Sequence, residues 1–111
     1  MSNIPLWTAS VTAHDTVRTV SLTGELDLTA ADELFRLLCA ELDTPGAACV
    51  VADLAEVTFL DSAALGAFIG VHNHAGTIGR QFHVINAARP VRRILDITGV
   101  YEILAPRSSG D

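Results

Sequence analysis

The chain has 111 residues, 50% of them hydrophobic, a net charge of −6 and an isoelectric point near 5.0. That length suits one domain with a core of its own, and the apolar share excludes a disordered chain. The acidic balance, with no basic cluster beyond Arg89, Arg92 and Arg93, argues against nucleic acid as a partner.

No apolar run approaches the roughly 18 residues of a membrane span, and the N-terminus lacks the pattern of a signal peptide. Cys39 and Cys49 each fall inside apolar patterns and read as reduced, buried thiols, which points to a cytoplasmic protein.

Along the chain, Trp7, Ala9 and Val11 alternate with Thr8, Ser10 and Thr12, the period of a strand with one wet face. His14-Asp15-Thr16 forms a turn and Val17 to Thr23 a second strand, so the two make a hairpin. After Gly24 the pattern changes. Thr29 is the expected N-cap of a helix, with Asp32 completing a capping box. Ala31, Leu34, Phe35, Leu38 and Leu42 mark its apolar face, and Pro45-Gly46 ends it. Cys49 to Leu54 is apolar on both alternating faces up to Asp53, as expected of a central strand covered on each side.

A second helix starts near Ser62, carries the stripe Leu65, Phe68, Ile69, His72, and closes at Gly76 and Gly79. Phe82, Val84 and Ile85 mark another strand. Pro90 opens a third helix with Val91, Ile94 and Leu95 on one face and Gly99 as its C-terminal cap. Tyr101 to Leu104 reads as a short last strand. The order is β-β-α-β-α-β-α-β. This predicts one small α/β domain over residues 1–111, with loose ends at 1–5 and 106–111. Its sheet is mixed and mostly parallel, of about five strands. Right-handed crossovers that all run one way put the helices mainly on one face.

Enzyme signals are missing. Gly66, Gly70, Gly76 and Gly79 are scattered and follow no strand as a phosphate loop does, and Ser62 sits in no G-x-S-x-G elbow. His72 and His74 are two apart on a helix and point in nearly opposite directions, so they cannot share one ion. The chain is therefore read without catalytic residues, metal or cofactor.

The stretch VTFLDSAALG, Val57 to Gly66, is richer in meaning. It places Ser62 behind Asp61 at the start of a helix, where unpaired N–H groups and the dipole favour negative charge. A serine there is either a plain cap, the ordinary reading, or a place to which a phosphate can be attached. Ala63, Gly66, Ala67 and Gly70 form a nearly bare strip along the same helix. It either packs against the protein's own chain or forms a docking strip headed by Ser62. Glu25, Asp27, Asp53, Glu56 and Asp61 lie near element ends. Glu25, Asp27, Asp61 and Ser62 can gather on the edge where parallel strands end.

Three blocks resemble the anti-sigma-factor antagonist domain, also called the STAS domain: GELDL from Gly24 with Thr29-Ala30 after it, VVADLAEVTFLDSAALG from Val50, and VRRILDITGV from Val91. The resemblance covers nearly the whole chain, in order and spacing. It implies a small sheet with helices packed on it. It also implies a regulator that binds an anti-sigma factor with serine kinase activity and thereby releases a sigma factor. The kinase phosphorylates the serine after the aspartate, which abolishes binding, and a metal-dependent serine phosphatase restores it. By position the phosphorylated residue is Ser62, with Asp27 and Asp61 as the acids beside it.

The same resemblance allows a STAS subunit of another assembly, a lipid-transport ATPase or a stress-signalling complex, with no phospho-switch. The sequence departs from the usual Ser-Ser-Gly or Ser-Thr-Gly, having Ser62-Ala63-Ala64 instead. This removes a second hydroxyl and adds a methyl on a turn that a partner's backbone would approach.

Overall fold

A computed structural model describes residues 6–106. The expected loose ends lie outside the described residues, apart from Pro106. Within them the order is β1 (Trp7–His14), β2 (Val17–Leu26), α1 (Leu28–Asp43), β3 (Cys49–Leu60), α2 (Ser62–Thr77), β4 (Gln81–Ile85), α3 (Arg89–Ile97) and α4 (Val100–Leu104).

The sheet runs β1-β2-β3-β4, with β1 antiparallel to β2 and the other pairs parallel. The crossovers through α1 and α2 each step one strand in the same direction, so both helices lie on one face. Val20 and Leu22 of β2, Val50, Ala52 and Leu54 of β3, and Phe82 and Val84 of β4 alternate onto that face. They are buried with Leu34, Leu38 and Leu42 of α1 and Phe68 and Val71 of α2. Burying each of these large side chains contributes about 1.5 to 3 kcal/mol, which makes this layer the main support of the fold.

Three expectations are corrected. The sheet has four strands, because Val100–Leu104 is a helix. Tyr101 and Leu104 are three apart, and a helical turn sets both toward the core, Leu104 fully buried and Tyr101 packed against it with the Arg92 guanidinium 3.5 Å from its ring centre.

The third strand runs six residues beyond Leu54. Two bulges, where Ser21–Thr23 of β2 spans Asp53–Glu56 and Gly24–Glu25 spans Val57–Phe59, change the inward spacing from two to three. Leu54, Val57 and Leu60 therefore all face inward while Phe59 turns out, 44% exposed. The period-2 pattern breaks, although the strand does not.

Nor is β3 covered on each side: Cys49, Val51 and Asp53, on its far face, are only half-buried. Burial pushes both cysteine thiols up, with Asp43 adding to the effect at Cys39, so both stay protonated at neutral pH.

Gly24, at φ +92°, shows why the chain needs glycine where β2 passes the start of β1. A Cβ there would lie 2.1 Å from the Leu6 carbonyl oxygen. Gly99, at φ +76°, ends α3 in the left-handed conformation, as expected of its cap. No helix among the described residues is long and apolar enough to cross a membrane.

Candidate functional site at the strand ends

Leu26 and Leu60 are register partners, and the Asp61 N–H donates to the Leu26 carbonyl at 3.2 Å. The chain leaves both strands side by side, and each strand runs directly into a helix capped by an aspartate. Asp27 caps α1, accepting from the Thr29 N–H at 2.9 Å and the Thr29 hydroxyl at 2.6 Å. Asp61 caps α2, accepting from the Ala64 N–H at 3.0 Å. The Thr29 hydroxyl, above all, holds the Asp27 carboxyl below the usual carboxylate range. Asp27 is thus ionised at neutral pH.

The expected Thr29 cap with Asp32 is corrected on this point. The helix starts at Leu28, and Thr29 is a donor to the real cap. Ser62 is not the cap of α2 either. It is the first helical residue, exposed, and its hydroxyl makes no hydrogen bond to another described residue. A cap of this type is worth about 1 kcal/mol. Asp61→Ala is expected to lower the stability of the fold by that amount and Asp61→Asn by a few tenths at most, read from urea unfolding midpoints.

The small-residue strip divides. Ala67 is buried, and Gly70 lies beneath the Phe35 ring of α1, where a Cβ would come 2.9 Å from a ring carbon. These two let α1 and α2 approach one another. Gly66 is exposed with open space above it, and Ala63 is half-buried beside Ser62. The methyl of Ala64 points into the core rather than outward: Ala64 has no exposed surface.

Glu25 is exposed on the same edge. Asp53 does not join it. It accepts from the Ala55 N–H at 3.0 Å and from the Asn86 amide at 3.3 Å, stabilising the first bulge of β3. Glu56 is exposed within β3.

Two residues that sequence reasoning missed complete the edge, Leu28 at 73% exposed and Phe59 at 44%. The edge therefore combines two aspartates, a free hydroxyl at a helix N-terminus and two bare apolar side chains. That composition suits a protein partner, with apolar anchors ringed by charge.

His74 is half-buried and sits 2.7 Å from Asp43, at the other end of α2. His72 faces a cleft with His83 and Glu102. Burial pushes the His83 imidazole down, so it stays neutral at pH 7. Among the described residues no three of His, Cys, Asp and Glu are grouped to hold a metal ion.

The chain belongs to the STAS domain family, whose model matches residues 8–109. It is 31% identical to a structure of an anti-sigma factor antagonist from Mycobacterium paratuberculosis, covering 91% of this chain and 86% of that one, with a TM-score of 0.77. It is 29% identical over 91 residues to an anti-sigma-B factor antagonist of Staphylococcus epidermidis, covering 82% of this chain and 83% of that protein. The Bacillus cell fate determinant SpoIIAA in its phosphorylated form shares the fold at a TM-score of 0.67 and 14% identity, with 92% and 93% of the two chains covered.

Proposed function

We propose that this protein is a bacterial anti-sigma factor antagonist that binds an anti-sigma factor with serine kinase activity, frees a sigma factor, and is switched off by phosphorylation of Ser62. One observation carries the switch. Asp61 caps α2, so the Ser62 hydroxyl stands exposed and unengaged at the helix N-terminus. The names borne by the Staphylococcus and Mycobacterium relatives support the class.

Asp27, Leu28, Phe59, Asp61, Ser62, Ala63 and Gly66 form the docking surface, and the buried Ala67 and half-buried Gly70 support it from beneath. A phosphate on Ser62 adds ~1.5 to 2 negative charges. The N–H groups and dipole of α2 steady it, so the fold stays, while Asp27 and Asp61 beside it turn the surface strongly acidic. The partner that fitted a neutral hydroxyl then meets repulsion and an uncompensated desolvation cost. A metal-dependent serine phosphatase resets the switch. The protein acts in the cytoplasm by binding alone, without catalysis of its own.

The test uses the full chain with the anti-sigma factor from the same genome and ATP, read by intact mass and site mapping. One phosphoryl group at Ser62 is expected, absent from Ser62→Ala. Binding without any modification of Ser62 would sink the switch and leave a plain docking subunit.

A further inference from the structure

The two edges of the sheet differ in how they are guarded. On one side β4 is five residues long and has α4 beside it, with Glu102 and Ile103 lining a cleft next to Gln81–His83. On the other side β1 is eight residues long, and only Trp7 is part-buried while the rest is exposed on both faces. Protein edges are usually blunted by charge, proline, bulges or shortness. Between Trp7 and Ala13 there is no charged residue and no proline, and the β1–β2 register runs without a shift.

The direction of the free groups follows from the hairpin. The Glu25 N–H donates to the Leu6 carbonyl at 2.8 Å, and Leu6 and Glu25 continue the register of the ladder. In an antiparallel pair the bonded positions alternate, so the even residues of β1 spend their backbone groups on β2. Trp7, Ala9, Val11 and Ala13 therefore turn four N–H and four C=O groups outward. On the helix-covered face, Ala9, Val11 and Ala13 continue the rows of Leu22 and Val20, yet no helix among the described residues reaches over them.

We propose that this edge is the seam of a homodimer, in which β1 pairs antiparallel with β1 of a second copy about a two-fold axis at Ser10. In that register Trp7 faces Ala13 and Ala9 faces Val11, so all four outward residues of each copy are paired. The bulkiest side chain of the strand meets one of the smallest. Thr8 faces Thr12 and Ser10 faces Ser10 on the polar face. No acid stands opposite an acid, because His14 and Asp15 lie beyond the paired stretch.

A second copy fits because β1, without charge, proline or register shift from Trp7 to Ala13, is complementary to itself in this pairing. Its apolar row is covered by its own duplicate. The helices do not clash, since their layer stops short of β1 in each copy. The joined sheet has eight strands, and reversal at the seam sends the two Ser62 edges to opposite ends.

Sedimentation equilibrium of the full chain from micromolar to millimolar concentration reads the seam directly, with a concentration-dependent dimer expected. Proline at position 9 or 11 removes an outward N–H and leaves the β2 ladder intact. Ala9→Pro and Val11→Pro are expected to weaken the dimer by at least about tenfold while the far-ultraviolet circular dichroism stays that of the wild type.

Ser10→Cys places one thiol from each copy across the axis and is expected to yield a disulfide between the two copies, located by peptide mass mapping. Thr12→Cys does not cross-link to itself. A monomer up to millimolar concentration, including one whose β1 is captured instead by another protein, would overturn the proposal. So would equal cross-linking of the two cysteine variants. None of these readings depends on the phospho-switch.

Discussion

Ser62→Asp is expected to weaken binding to the anti-sigma factor by at least about a hundredfold relative to Ser62→Ala, which binds as the wild type does. The size follows from where the charge goes. Position 62 lies between the Asp61 cap and half-buried Ala63, on an edge that already carries Asp27. A further carboxylate there has no cation among the described residues of the site to meet it, and docking would strip its water. Like charges brought together at an interface cost several kcal/mol, and each 1.4 kcal/mol is about tenfold in affinity.

The fold itself should not register the change, because the Ser62 hydroxyl bonds to no other described residue and an anion in a first helical turn is favourable. Melting temperatures within a few degrees of one another are expected for wild type and both variants. Titration calorimetry at low and high salt separates charge from shape, since the loss caused by charge shrinks as salt rises. Equal affinity of the aspartate and alanine variants would exclude the electrostatic mechanism.

Gly24→Ala should produce the largest loss of stability of any single methyl addition at a described glycine, about 3 kcal/mol or more. Two costs combine. At φ +92° an L-residue is strained, and the new Cβ would stand 2.1 Å from the Leu6 carbonyl oxygen. That oxygen cannot step aside, because it accepts the Glu25 N–H and pins the start of β1 to β2. Relief requires peeling β1 from the sheet, which also exposes the flank of Val20 and Leu22. Urea unfolding reads the effect as a lowered midpoint. Gly66→Ala, in open helical space, serves as the control and should stabilise slightly. A Gly24→Ala protein as stable as the wild type would show that the hairpin is not held as described.

Much of this was legible in the sequence where local pattern and tertiary demand coincide. The hairpin, the apolar faces of α1 and α2, and the breaks at Pro45-Gly46 and Gly99 follow from spacing and backbone chemistry alone. The two misplaced caps share a cause, which is competition between neighbouring candidates that spacing does not settle. Thr29 and Asp27 are both good caps, and the backbone path out of β2 selects Asp27. Asp61 and Ser62 compete in the same way, with the outcome that frees the serine.

Beyond Leu54 the bulges in β3 replace the two-residue period by one of three, which no strand template recognises. Tyr101 to Leu104 is too short for its period to show, and the packing of Tyr101 against Arg92 decides for helix. Of the docking edge, the acids and Ser62 could be placed from the sequence. Leu28 and Phe59 could not, because bare apolar residues are recognised only once the core has been filled without them.

The bulges of β3 also set a length. From the pair Val17–Cys49 to the pair Leu26–Leu60, β2 uses ten residues and β3 uses twelve. Two surplus residues in a regular strand would carry its end about 7 Å past its neighbour. The bulges absorb that excess, so both strands finish level and the Asp61 N–H can reach the Leu26 carbonyl. Asp27 and Asp61 then start their helices abreast, and the two N-termini open onto a single rim. The alignment of the two helix starts is therefore set before either helix begins, by slack taken up within β3.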